Sequence, residues 1–171
     1  MAIRNVVTEG DEILRKKCKP IDKISERNLE LLDDMVETMR LKNGVGLAAP
    51  QVGVMRRMFV AEPEKGKLFY MINPEIVKTE GEQESEEGCL SVPGYLGTVK
   101  RPEKITIKAL DRDGKKQTYE LEGFEAIVMC HENDHLDGIL YTDKATNVHI
   151  PEEENQEEEN QEKTESKNQK K

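Results

Sequence analysis

Residues 123–138 read GFEAIVMCHENDHLDG, and apolar side chains recur at helical spacing through the first half of this stretch. Gly138, just past the pattern, is a suitable residue for the end of a helix. In such a helix His131 and His135 lie one turn apart on the same face, so both imidazoles can bind one metal ion. Glu132 lies between them in sequence as a candidate proton acceptor. The stretch therefore predicts a helix with one face that changes from apolar to metal-binding along its length.

The alternative is that the two histidines are hydrogen-bonded core residues, which is the more common role of isolated histidines. The chain has three histidines among 171 residues. A chance match to the pattern is therefore on the order of one percent from composition alone. The intervening glutamate and the apolar lead-in favour a metal site.

Length and composition indicate one catalytic domain followed by a polar tail. The chain of 171 residues has room for one domain with a sizeable core. Residues 152–171 contain eight acidic and four basic residues and no apolar one. This composition is typical of disorder. We therefore expect a catalytic domain over residues 1–150 and a disordered, acidic tail over residues 151–171.

Charge and cysteine content limit the partners and the compartment. A net charge of −9 argues against strong non-specific binding of nucleic acid. No apolar run is long enough to span a membrane, and residues 1–5 lack the apolar stretch of a secretory signal. The three cysteines form an odd, sparse set that fits a reducing cytosol better than a disulfide framework. We therefore expect a cytoplasmic protein without a nucleic-acid or membrane partner.

The order of predicted elements indicates an α+β fold. The charged run at residues 79–87 is expected on the surface, and Asn73 and Pro74 are expected to break the strand at 68–77. Helix, several strands and one late helix in succession predict mostly antiparallel sheets packed around the C-terminal helix that carries the HExxH motif. The predicted elements are a helix from Ser25 to Arg40, strands at 55–61, 68–77, 104–109 and 117–121, and the helix at 123–138.

Two histidines leave a catalytic metal ion short of one protein ligand. Cys130 directly precedes His131 on the helix and points about 100° away from it, so it is expected in the core. Cys18 lies among lysines in a surface-like segment, and His149 lies at the edge of the tail. Cys89, in a segment rich in glycine and proline, is therefore the best third ligand by elimination, with carboxylates as the remaining candidates.

Residues 44–51, GVGLAAPQ, form a second distinctive stretch. Its glycines and alanines permit close approach of the backbone to a ligand, and Gln51 can donate from its amide. On its own, this stretch is better interpreted as a tight structural turn.

Three runs together resemble the peptide deformylase family: GVGLAAPQ at 44–51, EGCLS at 87–91 and HENDH at 131–135. They occur in the order and spacing of that family, and the resemblance covers roughly residues 3 to 145. It implies that one divalent metal ion is held with water as the fourth ligand. The ion is expected to be Fe2+, which Zn2+ or Ni2+ can replace. The implied protein ligands are Cys89, His131 and His135.

The resemblance also implies hydrolysis of the formyl group from the N-terminal formyl-methionine of new polypeptides, with release of formate. Glu132 would take a proton from the metal-bound water. The metal, the Gln51 amide and the Leu90 backbone N–H would hold the oxyanion. The expected partners are N-formylmethionyl nascent peptides and, transiently, the ribosome, and the protein is expected to be a monomer.

The resemblance places the substrate peptide in an extended form beside Gly44, Val45 and Gly46. Its methionine side chain would enter an apolar pocket. The alternative is that the residues expected to line this pocket simply pack in the core. The expected pocket residues are Phe124, Ile127 and Val128. An ion pair of Arg101 with Asp134 or Glu87 would stabilise the segments that carry the ligands.

The sequence departs from the family pattern at residues 93–97, PGYLG, which lack an arginine that some members place there to meet the substrate backbone. The acidic tail also differs from the basic C-terminal helix that some members use on the ribosome.

Two other functions remain open. A metallopeptidase would need a downstream ligand, for which His149 is poorly placed. A module with a structural metal would need neither Glu132 nor Gln51.

Overall fold

The computed structural model describes residues 2–151. Within these residues, short 3-10 helices lie at Glu12–Arg15, Ala49–Val52 and Tyr141–Asp143. Helix α1 covers Glu26–Leu41, and helix α2 covers Gly123–Leu136. The strands are β1 (Gly46–Ala48), β2 (Met58–Glu64), β3 (Lys67–Glu80), β4 (Gln83–Cys89), β5 (Val92–Arg101), β6 (Lys104–Leu110), β7 (Lys116–Glu122) and β8 (Thr146–His149).

The strands form two antiparallel sheets. One has the order β1-β2-β3-β6-β7 and the other the order β4-β5-β8. Strands β1 and β4 are therefore each at the edge of a different sheet. Together with the late helix α2, which packs on β1, β2 and β7, this arrangement confirms the predicted α+β fold.

Helix α1 begins and packs as its sequence pattern predicts. The Ser25 hydroxyl accepts a hydrogen bond from the Asn28 backbone, and the Asn28 side chain accepts one from the Ser25 backbone, which forms a capping box. Leu32, Met35 and Met39 are buried against the inner face of β1 and β2. Burial of one such side chain contributes about 1.5–3 kcal/mol, so this face holds the helix on the sheet.

Helix α2 lies in the centre of the molecule and is largely buried. Ala126 and Met129 belong to the core that also contains residues of β2, β3 and β6. The helix ends where predicted, because Gly138 adopts φ +73° and donates its N–H to the His135 carbonyl at 3.2 Å. A Cβ at Gly138 would lie 2.5 Å from the Arg15 carbonyl oxygen, so only glycine fits this crossing of the chain.

Two local predictions about the strands hold in part. Residues 79–86 are exposed or partly exposed, as expected of this charged run, but Glu87 is buried, and the run completes β3 and forms most of β4. Asn73 and Pro74 interrupt the regular pairing of β3, which has an irregularity between Ile72 and Glu75, although the strand continues beyond them. The Asn73 side chain binds the backbone of Ile21 in both directions, at 2.8 and 2.7 Å, and this stabilises its φ of +49°.

Two further corrections concern candidate ligands. Cys18 is not on the surface, since only 3% of it is exposed and its N–H donates to the Leu136 carbonyl at 2.8 Å. His149 belongs to β8, where it pairs with Leu96, rather than to a tail. The predicted disordered tail lies, apart from Pro151, outside the described residues. None of the described helices is both long and apolar enough to cross a membrane.

Candidate active site

The end of β4 and one face of α2 bring a cysteine and two histidines together. The ligand atoms of Cys89, His131 and His135 all lie within 4.8 Å of one another. Cys89 Sγ is 3.4 Å from His135 Nε2, and the two imidazole rings have centroids 5.1 Å apart. A single ion with bonds of about 2.0–2.3 Å to nitrogen and sulfur can lie between three atoms at these separations.

The two histidines differ in their surroundings. Burial, together with the nearby His131 and Arg101, holds the pKa of His135 well below its ordinary value, so its ring is neutral. A neutral imidazole is the form that binds a metal ion. His131 Nδ1 lies 2.8 Å from the Glu87 carboxylate, which leaves Nε2 as the ring nitrogen available to an ion.

Arg101 joins the two elements that carry the ligands. Its guanidinium donates two hydrogen bonds to Glu87, at 2.9 and 2.8 Å, and one to Asp134 at 2.7 Å. The sequence left open which of the two acids Arg101 contacts, and the structure has both contacts. Lys144 adds a further ion pair to Asp134 at 2.8 Å. Arg101 is only 2% exposed, so this network is shielded from water. It fixes the position of β4 relative to α2.

Glu132 is a buried carboxyl group beside the two histidines. Its Oε2 atom has no hydrogen-bond partner among residues 2–151. Burial raises the pKa of Glu132 to about 7, against the opposing effect of His131. A Cβ at Gly46 would lie 2.5 Å from Glu132 Oε1, so the glycine makes room for the carboxyl group. A carboxyl group with a pKa near neutrality can both accept and donate a proton.

The Gln51 side chain is held at both ends of its amide. Its Oε1 accepts a hydrogen bond from the Ala48 backbone at 2.9 Å. Its Nε2 donates to Ser91 Oγ at 3.0 Å and weakly to Cys89 Sγ at 3.5 Å. The amide N–H group therefore points to the end of β4, next to the cysteine.

An open cleft of about 770 Å³ lies over these residues. Ile127 and Val128 are buried in its floor, whereas Phe124 is 53% exposed at its rim. Leu90 also lines it, and a Cβ at Gly44 would lie 2.9 Å from Leu90 Cδ1. The cleft thus brings together the expected substrate-binding residues Gly44, Val45, Gly46, Phe124, Ile127 and Val128 with Cys89, His131, Glu132, Gln51 and Leu90.

Three contacts of the site were not foreseen from the sequence: the bond of Glu87 to His131, the bond of Gln51 to Ser91, and the packing of Tyr141 on His131. The Tyr141 and His131 rings are nearly parallel, with an angle of 21° and centroids 6.0 Å apart. Period two alone places Glu87 on the same face of β4 as Gln83 and Ser85, but it does not indicate which face is covered.

The sequence profile of the polypeptide deformylase family matches residues 3–151, which is nearly all of the described chain. The chain belongs to the peptide deformylase family. A peptide deformylase from Symbiobacterium thermophilum is 54% identical over 164 residues, covering 95% of this chain and 76% of the relative. One from Acetivibrio thermocellus is 57% identical over 144 residues, covering 84% of each.

Solved deformylase structures agree with the fold. A peptide deformylase from Legionella pneumophila superposes with a TM-score of 0.82 at 47% identity, covering 85% of this chain and 88% of that one. One from Thermotoga maritima gives 0.83 at 38% identity, covering 85% and 99%. The chain is thus an enzyme of a metal-dependent deformylase family that removes the N-terminal formyl group from nascent peptides.

Proposed function

We propose that this deformylase hydrolyses the formyl group of N-terminal formyl-methionine on nascent polypeptides and releases formate. The observation that carries the proposal is the set of one sulfur and two nitrogen ligand atoms within 4.8 Å, with the buried Glu132 carboxyl group beside it. A purely structural metal site has no need of a buried carboxyl group without a hydrogen-bond partner.

Cys89, His131 and His135 would hold one divalent cation, and the donor set fits this role. The neutral His135 and the His131 ring oriented by Glu87 each offer a nitrogen lone pair, and Cys89 offers a soft sulfur. Bound there, the cation supplies Lewis acidity that lowers the pKa of water. We propose Fe2+ as the native ion, with Zn2+ or Ni2+ able to replace it, because sulfur and imidazole suit all three.

Glu132 moves the proton in the proposed reaction. It takes a proton from the attacking water and later passes this proton to the leaving amine of methionine. A pKa raised to about 7 by burial suits both steps, since the group is neither a strong acid nor fully ionised at neutral pH. The lack of a hydrogen-bond partner on Oε2 leaves this oxygen free to bind water or substrate.

The negative charge that develops on the formyl oxygen would be stabilised by Gln51 and by the backbone N–H of Leu90. The bonds of the Gln51 amide to Ala48 and Ser91 orient Nε2 before substrate arrives. Such pre-orientation is what makes a hydrogen-bond donor effective in catalysis. The bond from Nε2 to Cys89 Sγ, at 3.5 Å, is to a weak acceptor, so it is readily exchanged for one to the substrate.

The peptide would bind in extended form between two sheet edges. Strands β1 and β4 are both edge strands, and both border the cleft. An added strand can pair with such exposed backbone groups. Gly44, Val45 and Gly46 would form one side of this pairing. The methionine side chain would lie over the apolar floor of the cleft, beside Phe124, Ile127 and Val128.

The absence of an arginine at residues 93–97 bears on affinity beyond methionine. With Tyr95 rather than a cation on that wall, backbone carbonyls of the peptide gain fewer charge-assisted hydrogen bonds. We infer that binding depends chiefly on the formyl-methionine itself. We also propose that the enzyme acts as a monomer in the cytoplasm and contacts the ribosome only transiently.

Formate release from formyl-Met-Ala-Ser tests the proposal, with protein purified anaerobically and its metal measured by elemental analysis. The wild type is expected to release one formate per peptide, and Glu132→Gln to lose at least about a hundredfold in kcat, as for loss of a general base. Glu125→Gln on the same helix is the matched control, because Glu125 pairs with Lys67 outside the cleft.

The alternatives give different results in the same assay. Cleavage inside the unformylated peptide Met-Ala-Ser would indicate a metallopeptidase. Stoichiometric metal without formate from either peptide would indicate a module with a structural ion, and would overturn the proposal.

A further inference from the structure

Tyr141 is a buried side chain that contacts one histidine of the metal site and one wall of the cleft. It is 1% exposed and begins the 3-10 turn Tyr141–Asp143, which follows α2. Its ring lies against the His131 ring at an angle of 21° with centroids 6.0 Å apart. Its hydroxyl donates a hydrogen bond to the Tyr95 carbonyl at 3.3 Å.

Tyr95 belongs to one wall of the cleft, formed by residues 93–95 at the start of β5. A Cβ placed at Gly88 would lie 3.4 Å from the Tyr95 carbonyl oxygen, which accepts the hydrogen bond from Tyr141. The same Cβ would lie 3.1 Å from Leu96 Cδ2. The Tyr95 backbone thus packs on the residue next to Cys89. Through its ring Tyr141 contacts one histidine of the site, and through its hydroxyl it contacts the wall of the cleft.

Close packing behind this wall depends on the same tyrosine. A Cβ at Gly97 would lie 3.4 Å from Tyr141 Cε2 and 2.9 Å from Ala145 Cβ. Strand β5 therefore packs too closely on the 3-10 turn and Ala145 for a side chain at residue 97. The hydroxyl remains a neutral donor at all physiological pH values, because burial raises the pKa of Tyr141 to about 12. A phenylalanine would fill the same apolar space among Leu14, Val92 and Leu140, but it would leave the Tyr95 carbonyl without this donor.

We propose that Tyr141 is a positioning residue with two separable actions: its ring orients His131, and its hydroxyl holds the cleft wall at Tyr95. The action of the hydroxyl on peptide binding rests on the proposed function. The ring acts on the metal site whether or not a peptide is turned over. The hydroxyl acts on peptide binding and does not touch the ligands.

Tyr141→Phe and Tyr141→Leu separate the two actions. Loss of one net hydrogen bond of ordinary strength predicts that Tyr141→Phe raises KM for formyl-Met-Ala-Ser about three- to tenfold with kcat within about twofold. The visible spectrum of the Co2+-loaded protein should remain that of the wild type. Tyr141→Leu removes the ring, so it should change that spectrum and speed metal loss to a chelator by about tenfold, as for lost support of a metal-bound histidine.

Tyr119→Phe is the matched control, because Tyr119 packs edge-on against Phe69 and does not line the cleft. It should leave KM, the Co2+ spectrum and metal loss unchanged. If Tyr141→Leu does not fold, as judged by its thermal melt, Tyr141→Met provides the ring-free variant.

The two proposals fail separately. A wild type that releases no formate overturns the proposed function, and the hydroxyl is then tested by calorimetric binding of the product Met-Ala-Ser, whose Kd should rise in Tyr141→Phe. Equal KM and equal Kd in Tyr141→Phe and wild type overturn the action of the hydroxyl. An unchanged Co2+ spectrum and rate of metal loss in the folded ring-free variant overturn the action of the ring.

Discussion

Nδ1 of His131 lies 2.8 Å from the carboxylate of Glu87, and this contact joins helix α2 to the second sheet. Burial raises the pKa of Glu87, but hydrogen bonds from His131 and Arg101 outweigh it and bring the pKa to about 2. Glu87 is therefore a carboxylate at neutral pH and accepts the proton of Nδ1. When a metal ion displaces the Nε2 proton, the lone pair of His131 lies on Nε2, the nitrogen left for that ion.

Glu87→Gln should weaken metal binding without unfolding the protein. The amide keeps the shape of the side chain but loses the charge that orients His131 and pairs with Arg101. We expect about a 10- to 100-fold rise in the Kd for metal, as is usual for partners of metal-bound histidines. Competition with a chelating dye measures it. Glu86→Gln, an exposed neighbour on the same strand, is the control, and equal affinity in both variants would contradict the prediction.

Thiol labelling of the metal-free protein should single out Cys89. Burial raises the pKa of Cys18 and of Cys130 to about 11, so both remain protonated and unreactive at pH 8. Cys89 is only partly buried, at the mouth of the cleft. Mass spectrometry after brief alkylation should find the label on Cys89, and added Zn2+ should slow the reaction. Faster labelling of Cys18 or Cys130 would show that the core opens more readily than expected.

Gly46→Ala should reduce activity because the new Cβ would lie 2.5 Å from Glu132 Oε1 and 2.8 Å from Cδ of the same side chain. The carboxyl group must move away from the site to make room. Displacement of a general base predicts a fall in kcat of at least about tenfold. Gly44→Ala is the comparison variant, because the nearest atom to its new Cβ would be the flexible end of Leu90, at 2.9 Å, rather than the catalytic carboxyl group. A larger loss of kcat in Gly44→Ala would argue against this account.

Asp34→Asn should destabilise the protein at neutral pH and much less in acid. Burial raises the pKa of Asp34, but hydrogen bonds from Ala2 and Arg4 outweigh it and lower the pKa below its ordinary value of 3.8. The resulting stabilisation is fully present above that value and is lost as the pH falls through the lower folded-state pKa.

Loss of charge-assisted hydrogen bonds predicts a decrease of about 1–3 kcal/mol in the free energy of unfolding for Asp34→Asn at pH 7. Urea unfolding at pH 7 and at pH 3 measures this difference and its decline in acid. Glu30→Gln, an exposed change on the same helix, should have little effect at either pH. A difference that grows in acid would contradict the sign of the linkage.

Local pattern was sufficient for several features of the fold. The capping box at Ser25 and the helical stripe of α1 are determined by residues three and four apart, and Gly138, with its positive φ, follows the end of α2 at Leu136. Strands β6 and β7 lie where strands were predicted, at 104–109 and 117–121, and they pair with each other antiparallel. These signals lie within a few residues of the features they determine.

The sequence alone determined the pair His131 and His135, since helical spacing places both on one face and needs no information from elsewhere in the chain. It did not reveal that Glu87 is buried or that Cys18 lies in the core, because burial depends on which other elements cover a segment. The approach of Cys89 to His135, the two-sided contact of Arg101 and the packing of Tyr141 on His131 were decided by the tertiary structure. Each joins residues of different secondary-structure elements, and their positions are set only when two sheets close around one helix.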